Sequence, residues 1–183
     1  MLNEIICAGF GGQGVLTAGK IMVYAAYRKG LQVTWFPSYG NEMRGGSANC
    51  NVVISDERIA SPYAKNPDTV LALNGPAVEK FEQLVKADGT LFVNSSLVDP
   101  ERTYRGDIRV LRAPVTELAQ KAGNARGANI VMLGQWVKHN GLFSKEDFVA
   151  CLCAYFEEQG KGKYNEKNVG AFEAGFDYAQ AQA

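Results

Sequence analysis

The chain has 183 residues, 46% hydrophobic and 21% charged, with 19 Lys and Arg set against 19 Asp and Glu. That is the profile of an ordinary globular protein, long enough to bury a normal core. The balanced charge argues against a nucleic-acid or anionic-membrane binder, and no apolar run approaches the roughly 18 residues of a spanning helix. The N-terminus shows neither a basic leader nor a cleavage pattern, so one cytoplasmic domain over residues 1–183 is expected.

The first apolar run, residues 5–8, passes straight into Gly9-Phe10-Gly11-Gly12-Gln13-Gly14 and then into helical spacing from Val15. This is the pattern of a strand, a glycine turn and a helix N-terminus. Glycines let backbone N–H groups approach a ligand, and the first helical turn offers unpaired donors, so the turn is a candidate anion site. Gly9, Gly11 and Gly14 match the spacing of a dinucleotide fingerprint, which also needs an acidic residue about 20 positions on. The second strand, 32–36, ends instead on Trp35 and Phe36 before Pro37, and the nearest acid, Glu42, falls in a loop. A nicotinamide site is therefore disfavoured. The glycines either permit a tight turn and close packing, or they contact another anion or a partner.

A helical pattern over 12–29 is closed by Gly30 as a C-terminal cap. With the strand at 32–36 it makes a right-handed βαβ unit whose two strands are expected to pair in parallel. The polar stretch 37–46 follows, carrying Tyr39, Asn41, Glu42, Met43 and Arg44. It comes just after a strand end, where α/β sheets collect ligands, and Tyr, Met and Arg are enriched in interface cores. Residues 47–55 alternate as a strand, and a turn at 56–58 returns through 59–63 as a short antiparallel addition. Near-continuous apolar runs at 69–73 and 90–94 read as strands covered on both faces, separated by a helix with Pro76 in its first turn. A last strand at 108–111 precedes helices at 115–122, 128–139, 145–156 and 165–179, with 159–163 as an exposed loop. The fold class is α/β: a three-layer α/β/α domain with a mostly parallel Rossmann-like sheet, an antiparallel addition and a helical C-terminal third.

The cysteines are Cys7, Cys50, Cys151 and Cys153, and the only histidine is His139. Cys7 and Cys50 fall in apolar strands, while Cys151 and Cys153 form a C-x-C on a helix, where residues two apart face different ways. This is poor ligand geometry, and no metal is expected on this chain. His139, before Asn140-Gly141, reads as a cation at a helix C-terminus. No nucleophile elbow, HExxH helix or phosphate-cradling GxxxxGK loop is present, so no catalytic residue is assigned and a self-sufficient enzyme is not indicated.

Two segments together carry a family likeness. Ile6-Cys7-Ala8-Gly9-Phe10-Gly11-Gly12-Gln13-Gly14-Val15-Leu16-Thr17-Ala18, followed by Ser38-Tyr39-Gly40-Asn41-Glu42-Met43-Arg44-Gly45-Gly46, resembles the gamma subunit of 2-oxoacid:ferredoxin oxidoreductases. The likeness continues through Asn74-Gly75-Pro76, the helix containing residues 129–135, and the stretch from Lys167-Asn168 to Gly175. The resemblance implies an accessory subunit of a complex that oxidatively decarboxylates a 2-oxoacid to an acyl-CoA. It also implies that thiamine diphosphate and iron–sulfur clusters sit in thiamine-binding and ferredoxin-like partner subunits, with ferredoxin accepting the electrons. No cofactor would be tightly bound by this chain; coenzyme A would enter as co-substrate. Gly9, Gly11, Gly12, Gln13 and Gly14 become candidate coenzyme A or partner contacts, and Tyr39, Asn41, Glu42 and Arg44 a candidate coenzyme A or subunit-interface loop. Relatives act on several oxoacids, with a lean here toward 2-oxoglutarate or 2-oxoisovalerate. The glycine turn alone also fits a free-standing Rossmann-like protein that binds a nucleotide or another phosphorylated ligand, and the aromatic-bearing loop also fits homodimer contacts.

Overall fold

The structure, a computed structural model, describes residues 1–39 and 46–178. Its strands are β1 (Leu2–Phe10), β2 (Gln32–Tyr39), β3 (Ser47–Ser55), β4 (Thr69–Ala72), β5 (Thr90–Asn94) and β6 (Arg109–Ala113). They form one mixed sheet in the order β2-β3-β1-β4-β5-β6. The pairings from β1 through β4 and β5 to β6 are parallel, whereas β3 is antiparallel to both β1 and β2.

This corrects two expectations. β1 and β2 do not pair; β3 lies between them. Parallel neighbours need a crossover of about a dozen residues or more, and only residues 40–46 join β2 to β3, so β3 returns antiparallel beside β2. The displaced β2 becomes an edge strand, where Pro37 is tolerated because one side of the strand has no ladder partner. β2 also runs on through Tyr39, which pairs with Ala48. The antiparallel element is thus β3 itself, and residues 59–63 form no strand. There the ring of Tyr63 lies 4.7 Å from that of Phe36, and the side chain of Asn51 accepts the Ala64 N–H at 3.1 Å. These contacts fold the segment against the sheet.

Helix α1 (Val15–Arg28) packs on one face of the sheet and α2 (Gly75–Phe81) on the other. α3 (Val115–Lys121), α4 (Ala128–Asn140), α5 (Lys145–Glu158) and α6 (Asn165–Asp177) join α1 over the larger core, which holds the buried side chains of Met22, Trp136, Phe148 and Phe172. The smaller core under α2 gathers Val70, Leu91, Val78 and Phe81. The predicted cap of α1 is present as a Schellman turn: Gly30, at φ 83°, donates to Tyr27 and Leu31 donates to Ala26.

α4 and α6 cross at two glycines. A Cβ on Gly134 would lie closer than 3.0 Å to the Phe172 carbonyl, and one on Gly175 would meet the backbone of Val131. This crossing holds α6, and with it Lys167 and Asn168, against the start of α4.

Candidate functional site

The glycine turn is built from within. A Cβ on Gly9 would stand 2.7 Å from Gln13 Oε1 and 3.1 Å from Leu73 Cβ, so Gly9 serves close packing. Gln13 Oε1 accepts the Phe10 N–H at 2.7 Å and the Asn74 side-chain amide at 2.8 Å. Its Nε2 donates to the Leu73 carbonyl at 3.3 Å, which also receives the wholly buried Asn94 at 3.0 Å. α1 and α2 leave the adjacent strands β1 and β4 toward opposite faces, the arrangement that opens a ligand crevice in α/β sheets. Here neutral amides fill that crevice.

The open donors lie on the α1 side. Gly14 caps α1 in the left-handed region at φ 74° with no side-chain cap, and the first helical bond runs from Ala18 N–H to the Gly14 carbonyl. Asn129 Nδ2 donates to that same carbonyl at 3.0 Å. α4 also begins without a side-chain cap, at Gly127. Two helix N-termini, each with orphan N–H groups and a partial positive charge, are therefore tied together by one amide.

A cleft of about 520 Å³ opens between them. It is lined by Gly12, Gly14 and Thr17, by Arg126 and Asn129, and by Lys161, Tyr164, Lys167 and Asn168; among the described residues no carboxylate lines it. Arg126, Lys161 and Lys167 are exposed, and no ion pair engages them among the described residues. A second cleft of about 530 Å³ shares Gly12, Gly14 and Thr17 but is lined mainly by Phe10, Val15, Leu16, Trp35 and Ala48. Lys20 is its cation, with Nζ 5.0 Å above the Trp35 ring. The turn thus divides a basic, polar cleft from a mostly apolar one.

Of the residues singled out in the sequence, Gly12 and Gly14 line both clefts and Gly11 the apolar one. Gly11 also donates its N–H to the Gly46 carbonyl at 2.9 Å. Gly9 and the side chain of Gln13 serve the turn itself. Tyr39 contributes backbone pairing, and Asn41, Glu42 and Arg44 lie outside the described residues. Sequence reading missed Arg126, Asn129, Lys161, Lys167 and Asn168, which come from α4, α6 and the connections before α4 and after α5. One local signal was available: Arg126-Gly127-Ala128-Asn129 opens a helix without a Ser, Thr or Asp at its cap.

The cysteines and the histidine stand apart from this site. Cys7 and Cys50 are buried opposite each other in β1 and β3, and Cys151 and Cys153 are half-buried on α5. His139 is not the expected helix-end cation. Burial of its ring, then the charges of Arg109 and Lys138, push its pKa below the usual 6.5, so it is largely neutral at pH 7. Protonation then favours the unfolded chain, and the stability tied to the neutral ring is lost as pH falls below about 6.5. Melting curves at pH 7 and pH 5 should show a smaller acid loss for His139→Gln than for the unaltered chain; equal losses would contradict this.

A glycine turn at the carboxyl end of β1, with two uncapped helix N-termini and three cations beside it that no ion pair engages among the described residues, makes an α/β domain with a basic cleft. Residues 4–178 match the family described as pyruvate ferredoxin/flavodoxin oxidoreductase, and the chain belongs to that family. It is 38% identical over 173 residues to the ketoisovalerate oxidoreductase subunit VorA of Methanothermobacter thermautotrophicus, matching 94% of this chain but 35% of that one. The chain therefore spans about a third of that relative. The crystal structure of a keto/oxoacid ferredoxin oxidoreductase gamma subunit from Geobacter sulfurreducens superposes with a TM-score of 0.80 at 34% identity, covering 96% of both chains. A 2-oxoglutarate:ferredoxin oxidoreductase from Magnetococcus marinus, with 2-oxoglutarate, coenzyme A and succinyl-CoA bound, superposes with a TM-score of 0.82 at 26% identity, covering 95% of this chain and 30% of that one. Among the described residues, no helix is long and apolar enough to cross a membrane.

Proposed function

We propose that this chain is the gamma-type subunit of a cytoplasmic 2-oxoacid:ferredoxin oxidoreductase and that it holds the phosphorylated end of coenzyme A. The observation that carries the reading is the cleft where the N-termini of α1 and α4 meet beside Arg126, Lys161 and Lys167. Orphan N–H groups at helix starts suit phosphate oxygens, and unpaired cations lower the cost of bringing a polyanion there. The coenzyme A bound in the Magnetococcus enzyme supports the choice of ligand. In this division of labour the chain contributes binding and orientation, and the reacting groups come from its partners.

Thiamine diphosphate in a partner subunit supplies the carbanion stabilisation that decarboxylation needs. Among the described residues, no three His, Cys, Asp or Glu side chains converge. The chain's own residues act on the second substrate. The glycine turn and Arg126 fix the diphosphate, and the apolar cleft along Leu16 and Trp35 suits the uncharged pantetheine arm. The segment 38–46, with Arg44, is the further candidate for coenzyme A or subunit contact. A branched-chain 2-oxoacid and 2-oxoglutarate are the substrates to assay first, given the relatives above.

Purification from the native source tests the reading. The chain is expected to copurify with thiamine- and cluster-binding subunits, and the isolated chain to be inactive. A stable native assembly lacking such partners, or tight binding of NAD or FAD by the isolated chain in calorimetry, would favour the free-standing nucleotide-binding alternative.

A further inference from the structure

The basic cleft carries two chemically different sets of donors. One set is backbone: the uncapped starts of α1 and α4 beside Gly12 and Gly14, suited to a diphosphate. The other set is two lysines, Lys161 after α5 and Lys167 in the first turn of α6, which line the cleft as compact point charges. Asn168 lines the same cleft. It is only 6% exposed; its Oδ1 accepts from Asn124 at 2.9 Å, while its Nδ2 has no partner among the described residues. A buried amide donor left unpaired is costly and calls for an acceptor. The nearby Glu157 does not line the cleft and accepts instead from Asn165 at 3.0 Å.

Coenzyme A carries a diphosphate and, on the same nucleotide, a separate phosphate monoester at the ribose 3′ position. The monoester bears about −1.5 to −2 charges at pH 7, and so has more to gain from two lysines than either diphosphate group has. We propose that Lys161, Lys167 and Asn168 form the subsite for this monoester, through which the subunit distinguishes coenzyme A from dephospho-coenzyme A. The proposal rests on the coenzyme A reading above and extends it to three residues outside the glycine turn. The two lysines are exposed, so their replacement leaves the packed core intact.

The test is kinetic, on the assembled complex. The unaltered complex is expected to show a KM for dephospho-coenzyme A about ten-fold or more above that for coenzyme A, one charge-assisted contact being worth at least that factor. The Lys161→Ala/Lys167→Ala complex should lose this difference through a raised KM for coenzyme A, with the KM for dephospho-coenzyme A unchanged. Adenosine 3′,5′-bisphosphate should inhibit the unaltered complex better than AMP, and the double variant no better than AMP. Equal KM values for the two coenzymes in the unaltered complex would overturn the proposal, as would an equal rise of both in the variant. Inorganic phosphate competing as well as the bisphosphate would assign the lysines to free phosphate and overturn it too. A complex that ignores both coenzymes would overturn the coenzyme A reading itself.

Discussion

A Gly14→Ala protein is expected to melt below the unaltered chain and, in the complex, to need about ten-fold more coenzyme A, the factor carried by one charge-assisted contact. Gly14 is held at φ 74°, a conformation costing an L-residue about 1–2 kcal/mol. A Cβ there would also stand 2.5 Å from Asn129 Nδ2, the group that joins α4 to the Gly14 carbonyl. Alanine must therefore push Asn129 aside and part the two helix starts, and the total loss should reach roughly 2–3 kcal/mol with that bond included. Gly12→Ala is the control. Gly12 also has a positive φ, of 99°, but open space surrounds its Cβ direction, so only the conformational part of the loss is expected. Thermal melts of both variants, with KM measured on the complexes, separate the two causes. Equal losses for Gly12 and Gly14 would show that the Asn129 contact carries nothing.

Gly175→Ala is expected to destabilise the chain about as much as Gly14→Ala, through packing alone. In an exposed helix interior the same change would gain about 1 kcal/mol. Here the methyl meets the carbonyl, carbonyl carbon and Cα of Val131, none of which can rotate away. Relief requires α6 to move off α4, opening the stack of Phe148 on Phe172, whose centroids lie 5.4 Å apart. Overpacking of this kind costs about 2–3 kcal/mol, or roughly 4–10 °C in Tm for a chain of this size. Because α6 carries Lys167 and Asn168, the shift should also disturb the basic cleft. A neutral or stabilising result in differential scanning calorimetry would contradict the close crossing.

What could be read from the chain beforehand was whatever is settled locally. Gly30 announced the end of α1 because only a residue at ease with positive φ closes a Schellman turn, and Pro76 announced the first turn of α2, where the Asn74 side chain accepts the Ala77 N–H at 2.9 Å. The strand, glycine turn and helix from β1 to α1 were legible for the same reason. Pairing was not. Nothing within 32–36 or 47–55 states that β3 separates β1 from β2; that follows from the shortness of 40–46 and from Pro37 needing an edge.

The site divides along the same line. The glycines could be found in sequence, but the role of Gln13 could not, because its partners at Leu73 and Asn74 lie some 60 positions away. The cleft combines Gly14, Arg126, Lys161 and Lys167, whose spacing forms no motif; only the folding of α4 and α6 back against α1 makes them neighbours. His139 failed as a cation because position on a helix gives the sign of the dipole effect but not the burial or the neighbouring charges.

The central claim is that this chain serves a complex by holding coenzyme A. Its most direct test is a coenzyme A titration of the natively purified complex, following oxoacid-dependent reduction of ferredoxin, with Arg126→Ala introduced on this subunit. Turnover that depends on coenzyme A, with a KM raised about ten-fold or more by Arg126→Ala, is the predicted result. Turnover indifferent to coenzyme A, or a KM untouched by the loss of Arg126, would contradict it.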